Sequence, residues 1–277
     1  MGFMPEPLLP SPRADLFVTT ALKPDAPLVA RAQGFAAELG APYLERRDNG
    51  LPKLFAAAAP GAERALVVQR DRLVLTDRSG HEFFYHPNMA FLRLGNLQRG
   101  QPDSLINAAG LREGDAVLDA TLGYAAEAIL CAYTVGESGT VHGIEAVPEL
   151  GVVVREGLKT VTTDRAELNA AMRRVEVVHL GHHLDYLRAC PDRRYDVVCF
   201  DPFFQEPPTG SAPFAPIRFF GDHSPLLPES LAEARRVARR RVVVKTERWS
   251  PLLEEMGVGR RVEARHGKVV YGVIDVE

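Results

Sequence analysis

Between residues 116 and 245 the chain alternates short apolar β-type runs with amphipathic helical segments, and this alternation limits the possible folds more than any other feature. The runs at 116–120, 140–145, 175–179, 196–201 and 241–245 are separated by helical patterns over 124–135, 148–158, 183–188 and 228–238. Strands joined through helices return parallel to one another, and both faces of the resulting sheet are covered. The expected fold is therefore α/β, with a Rossmann-like, mostly parallel sheet. The rhythm breaks near the end. Residues 261–265 and 269–276 flank the pair His266-Gly267 and read as a hairpin, which places at least one antiparallel strand in the sheet.

The first third carries a different pattern. A short strand over 16–18 precedes a helix over about 28–39 that stops at Gly40, and three β-rich runs follow at 65–69, 72–76 and 81–85. Residues 14–95 are expected to form a small α+β domain and residues 96–277 the larger domain. The Gly-, Gln- and Asn-rich stretch 96–102 marks the boundary, and Asp103 or Ser104 can cap a helix running to Ala109. The Pro-rich residues 1–13 lack the basic-then-apolar order of a signal peptide and are expected to be a disordered arm.

Composition excludes little and supports an ordinary soluble protein. A formal net charge of -3 over 277 residues gives no global attraction to nucleic acid or an anionic membrane, so any RNA contact has to come from local basic patches. No run approaches the roughly 18 to 20 apolar residues that a membrane span needs. Cys131, Cys190 and Cys199 are isolated within apolar stretches, as buried thiols of a reducing compartment would be, and the expected location is the cytoplasm. The sequence leaves self-association open.

In an open α/β sheet, ligands sit beyond the carboxyl ends of the strands, so the residues just after each strand carry most of the information. The first strand ends in Asp119-Ala120-Thr121-Leu122-Gly123-Tyr124-Ala125-Ala126-Glu127. There Gly123 and the alanines let the backbone approach a ligand and point a helix N-terminus at it. Asp119, Thr121, Gly123, Ala126 and Glu127 are candidates from this loop. Glu145, with Ala146 after it, ends the second strand roughly twenty residues on, where an acid commonly accepts hydrogen bonds from a ribose diol. The third strand is followed by Gly181-His182-His183 and the fourth ends in Asp201. The Gly-x-Gly-x-x-Gly that seats a dinucleotide pyrophosphate is missing. A looser loop with one glycine and two acids suits a cofactor without phosphates, which points to S-adenosyl-L-methionine. Adjacent histidines on a turn do not readily direct both rings to one ion, and no partner stands at ligand spacing, so no metal is expected.

Asp201-Pro202-Phe203-Phe204 is the most informative tetrapeptide. It resembles the Asp/Asn-Pro-Pro-aromatic signature of methyltransferases that act on exocyclic amines of bases. Such an amine has its lone pair delocalised into the ring. An acceptor has to take its N–H and turn the nitrogen towards the methyl group, while an aromatic ring stacks on the base. Asp201 and the Pro202 carbonyl are the candidate acceptors, and Phe203 or Phe204 the stacking face. The Pro-rich loop 205–222 is long enough to be a substrate lid. Arg235, Arg236, Arg239, Arg240, Arg241 and Lys245 concentrate positive charge. That charge is read equally well as an RNA patch or as complement to a helix C-terminus.

These residues identify the chain as similar to the RsmJ-like family of ribosomal RNA (guanine-N2) methyltransferases, within the class I methyltransferase superfamily. The motifs "HPNMAFLR", "VLDATLGYAAEAIL", "GIEAVPE", "VVCFDPFF", "RRVVVKTERWSP" and "GKVVYGVI" carry the resemblance over about 84–276. It implies cofactor contacts at Ala126, Glu127, Glu145, Ala146, His182, His183 and Asp201, and substrate contacts at Arg93 and Lys245. It also implies a base of ribosomal RNA, or the small ribosomal subunit, as substrate. The family's Asp-Pro-Met-Phe-Pro stands here as Asp201-Pro202-Phe203-Phe204-Gln205, a difference that bears on substrate and not on cofactor. Two other readings stay open on sequence: a small-molecule methyltransferase, and a non-catalytic RNA- or ribosome-binding protein that keeps the fold.

Overall fold

A sharp reversal of strand order organises the larger of two sheets in the structure, a computed structural model that describes residues 13–57, 61–203, 215–263 and 267–276. Strand β5 (Ala116–Asp119) lies inside it, with two strands on one side and four on the other. The chain runs outward through β6 (Thr140–Glu145) to β7 (Val175–Leu180), then crosses back to β8 (Tyr195–Phe200) and β9 (Ala238–Glu247) on the other side of β5. All five are parallel. Strand β11 (Val269–Asp275) is antiparallel to both β9 and the edge strand β10 (Arg260–Glu263), so the sequence-derived hairpin is present. The crevice expected of such a sheet opens where β5, β6 and β8 diverge at their carboxyl ends.

The smaller sheet contains β1 (Leu16–Thr20), β2 (Arg64–Val68), β3 (Leu73–Asp77) and β4 (Glu82–Phe83) in that order, with the first pair parallel and the others antiparallel. Helix α1 (Ala26–Leu39) covers it. Asp25 accepts from the Leu28 N–H at the start of this helix, and Gly40, with φ of 62°, ends it in the left-handed region. One apolar core includes Leu66, Leu75 and Phe83 from this sheet together with Leu130 and Val153 from the helices flanking the other.

Buried charge also joins the two sheets. Glu149 is fully buried in the first turn of α6 (Pro148–Thr160) and accepts from Arg13 at 2.5 Å and Arg64 at 2.8 Å. Burial opposes its ionisation, yet the two guanidiniums hold the carboxyl below its ordinary value.

Several elements differ from the expectation. The 81–85 run pairs over Glu82–Phe83 alone, because the chain then turns towards α3 (Asn88–Gln98), a helix that periodicity did not reveal. Its sequence, NMAFLRLGNLQ, has poor helix propensity at two asparagines and a glycine. Packing on α5 (Ala126–Val135) sustains it instead. Helix α5 begins at Ala126 and not at 124, since Ala125 takes a left-handed φ of 61° and delays helical geometry.

Four members of the arginine run are held by partners within the chain. Arg236 donates to the carbonyls of Leu187 and Cys190 at the end of α8 (His183–Ala189), Arg239 pairs with Asp196, Arg240 with Asp115, and Arg241 with Asp275. Arg236 lies in the last turn of α10 (Pro228–Val237) and the other three follow at the amino end of β9, opposite the crevice, while Lys245 sits near its carboxyl end.

Candidate functional site

The carboxyl ends of β5, β6, β8 and β9 open into a single cavity of about 680 Å³. Its wall includes Thr121, Gly123, Ala126, Glu127, Glu145, Ala146, His183, Asp201, Pro202, Phe203, Arg93 and Lys245, each named from sequence. Phe204 lies outside the described residues, as does most of the 205–222 loop. Asp119 and His182 do not reach the wall. Asp119 is 2% exposed and its Oδ1 accepts from the Thr121 N–H, which shapes the loop from behind. Burial, with Glu127 nearby, pushes its carboxyl up to about 8, so it is neutral at neutral pH. His182 is the N-cap of α8, its Nδ1 accepting from the Leu184 N–H.

The first loop is tight. Gly123 has a φ of 51° and Ala125 one of 61°, so two left-handed residues within three turn the strand into the helix. Glu145 closes the turn from β6: one oxygen accepts from the Gly123 N–H and the other from the Val147 N–H, both at 3.0 Å. Among the described residues no cation pairs with it, and burial pushes its carboxyl up to about 7 in spite of those two amides. Each oxygen keeps a lone pair for a further donor.

The opposite wall is an ion network. Phe200 pairs with Val244 across β8 and β9, so the next residues, Asp201 and Lys245, fall side by side. Lys245 Nζ donates to Asp201 Oδ2 at 2.5 Å and to Glu127 Oε1 at 2.9 Å. Arg93, from α3, donates to the same Glu127 oxygen at 2.7 Å and forks onto Asp103 with two contacts of 2.9 Å. Burial opposes charge on Glu127, but Lys245 and Arg93 hold it down to about 2. For Asp201 burial outweighs Lys245 and brings the carboxyl up to about 6, still ionised at neutral pH.

Between these walls stand His223 and Gly221, which sequence reasoning did not name individually. His223 stacks on Phe203, centroids 4.8 Å apart and planes 26° apart, and its Nε2–H donates to the Arg218 carbonyl at 2.7 Å. Gly221 makes room for the Phe203 ring, because a Cβ there would strike it. His183 is buried, shares a 2.8 Å hydrogen bond with Ser230, and is kept neutral by burial and the adjacent His182, which lower it to about 4. Asp222 ends the Pro-rich loop and His223 and Ser224 follow it directly, and this proximity was the available signal. Among the described residues no helix is long and apolar enough to cross a membrane, and no three His, Cys, Asp or Glu are grouped to hold a metal ion.

Comparison with known proteins agrees with this architecture. Residues 53–270 match a family model described as "Putative SAM-dependent methyltransferase". The chain is 38% identical to the Bacillus subtilis "Uncharacterized protein YpiP", over 93% of this chain and 98% of that protein. It is 30% identical to "Ribosomal RNA small subunit methyltransferase J" of Magnetococcus marinus, over 61% of this chain and 68% of that protein. Among solved structures, the SAM-dependent methyltransferase NGO1261 of Neisseria gonorrhoeae shares the fold. It has a TM-score of 0.59 at 16% identity and covers 93% of this chain and 95% of that one. The chain belongs to the S-adenosylmethionine-dependent methyltransferases, as a class I enzyme of the RsmJ-like family.

Proposed function

We propose that the enzyme methylates an exocyclic amine of a base in ribosomal RNA, of the guanine-N2 type. The observation that carries this reading is the position of Asp201-Pro202-Phe203 in the cavity wall, with an ionised carboxylate beside a braced aromatic ring. The similarity to a protein named as a ribosomal RNA small subunit methyltransferase supports the same substrate class.

The residues present fit the cofactor. A buried carboxylate without a cation partner gains from a pair of hydroxyl donors, and Glu145 is such a group. The left-handed turn at Gly123 and Ala125 brings backbone close to the cavity and directs the start of α5 into it. Glu145 and Ala146 would hold the ribose, the loop from Thr121 to Glu127 the methionine end, and His183 and Asp201 would complete the enclosure. Bound there, S-adenosylmethionine supplies an electrophilic methyl group on a sulfonium sulfur.

The chain's own contribution is positioning, which accounts for much of the rate in such transfers. Asp201 accepts one N–H of the target amine, and the Pro202 carbonyl is placed to accept the other. Together they turn the nitrogen towards the donor. Phe203 supplies a π-face for the base, and His223 behind it limits the ring's freedom. Lys245 keeps Asp201 in one orientation and in its ionised form.

The test is transfer of labelled methyl to small ribosomal subunits from cells that lack the gene, followed by mass spectrometry of the nucleosides. An N2-methylguanosine absent from the acceptor RNA is the expected product. Asp201→Ala should abolish transfer while cofactor binding, followed by calorimetry, persists. Failure of the wild-type enzyme to label ribosomal RNA, or an undiminished rate in Asp201→Ala, overturns the proposal.

A further inference from the structure

The cavity does not end at its rim. Tyr124, in its wall, lies 5.0 Å from the ring of His86, which lies 5.9 Å from that of Phe84, and the Arg72 guanidinium stands 4.6 Å above Phe84. The four side chains lead from the cavity onto the outer sheet. Phe84 and His86 are half-buried and Arg72 is exposed, so each π-face or planar cation is within reach of solvent. At the other end of β4, the edge strand of that sheet, His81 and Phe219 stack face to face, with centroids 3.6 Å and planes 10° apart. Asp77 fixes the His81 ring through a 2.7 Å contact to Nδ1. Phe219 is 51% exposed, although its neighbours Ile217 and Arg218 on α9 (Ala215–Phe220) line the cavity.

Core packing accounts for neither group. Phe83 and Tyr85 point inward and are buried, and the alternation of an extended segment sends Phe84 to the opposite side. A large ring exposed beside the active cavity, and another held under a guanidinium, cost solvation that packing does not return. Flat aromatic faces spaced along a path, with an arginine among them, match the chemistry of an unpaired polynucleotide. Its bases stack without regard to sequence and its phosphates take the cation. A duplex offers no free base faces, so the occupant is single-stranded. Glu82 stands exposed between the two groups and disfavours phosphate at that point, which leaves base stacking as the main contribution.

We propose that the β4 edge, from Tyr124 through His86, Phe84 and Arg72 and on to the His81–Phe219 pair, is a docking track for single-stranded RNA flanking the target nucleotide. This rests on the reading of the substrate as RNA. The track holds the neighbouring bases while the target base enters the cavity, so the outer sheet acts in substrate selection as well as in stability.

The experiment measures fluorescence anisotropy of a labelled single-stranded 12-nucleotide RNA with the full-length protein, alongside calorimetric titration of S-adenosylmethionine. Phe84→Leu and Phe219→Leu keep apolar bulk and remove the ring, and each should weaken RNA binding about tenfold with cofactor affinity unchanged. Phe84→Trp should restore or strengthen it, which a merely structural role would not predict. Arg72→Ala should weaken binding and flatten its dependence on salt. RNA affinity unaltered in both leucine variants, with transfer to ribosomal RNA intact in the wild type, overturns the track and leaves the proposed function standing. A wild type that neither binds the RNA nor labels ribosomal RNA overturns both.

Discussion

Lys245 Nζ lies 2.5 Å from Asp201 Oδ2, so adjacent parallel strands end in an ion pair at the cavity wall. In the proposed role of Asp201 as acceptor, activity needs its carboxylate, and the acid limb of the pH–rate profile should fall near 6. Replacing the ammonium by an apolar chain, as in Lys245→Met, removes the influence that favours ionisation. The limb should then move upward by about one to three pH units, with a loss of about tenfold or more in rate at neutral pH. A kcat/KM profile over pH 5 to 9 reads both effects, and an unmoved limb separates Lys245 from Asp201 in the mechanism.

The Glu145 carboxyl stands near 7 because it is buried with backbone amides but no cation. In the proposed cofactor pose, ribose hydroxyl donors favour its ionised form and lower that value, so cofactor binding at pH 7 should release on the order of half a proton. Calorimetry in two buffers of different ionisation enthalpy measures the release. Glu145→Ala should eliminate it and weaken cofactor binding by about 1.5–3 kcal/mol, the worth of hydrogen bonds to a charged group.

Strand ends were legible in the sequence because each apolar run closes on a polar residue. Glu127, Glu145 and Asp201 line one cavity, as the register of alternating strands and helices requires. Contacts made at long range were not legible. The sequence does not show that Arg236 serves the end of α8, since the carbonyls of Leu187 and Cys190 that it meets are more than forty positions away. Asp119 resembled a ligand-facing acid, but the turn at Gly123 folds the loop over it and leaves it behind the wall. Helices α3 and α7 (Ala166–Arg173) are sustained by packing on α5, and short elements of that kind leave little periodic signal.

Glu149 is fully buried between Arg13 and Arg64, whose side chains are 22% and 28% exposed. Removing it as Glu149→Ala strands two guanidiniums that water still reaches in part. The cost should fall below that of a fully buried pair, at about 2–3 kcal/mol. Because the folded-state value of this carboxyl lies below its ordinary one, its contribution is complete above the unfolded value of 4.5 and is lost as pH falls through the folded value. Urea unfolding should therefore show a wide gap between wild type and variant at pH 7 that narrows below about pH 4.5. A gap independent of pH assigns the loss to packing instead of charge.

Two helical glycines separate backbone entropy from packing. Gly34, exposed in α1, has nothing within 4 Å of an added Cβ, so Gly34→Ala should stabilise the fold by about 0.5–1 kcal/mol through helix propensity alone. Gly157, buried in α6, gains the same propensity on substitution, but its added Cβ would strike the Tyr85 ring. Tyr85 is 6% exposed and its hydroxyl reaches Met172, so the ring has little room to withdraw. Overpacking of about 1–3 kcal/mol should then exceed the gain and leave Gly157→Ala less stable than the wild type. Thermal unfolding of the two variants should move in opposite directions. Equal gains in both would mean that Tyr85 yields and that the contact between the outer sheet and α6 is looser than its geometry indicates.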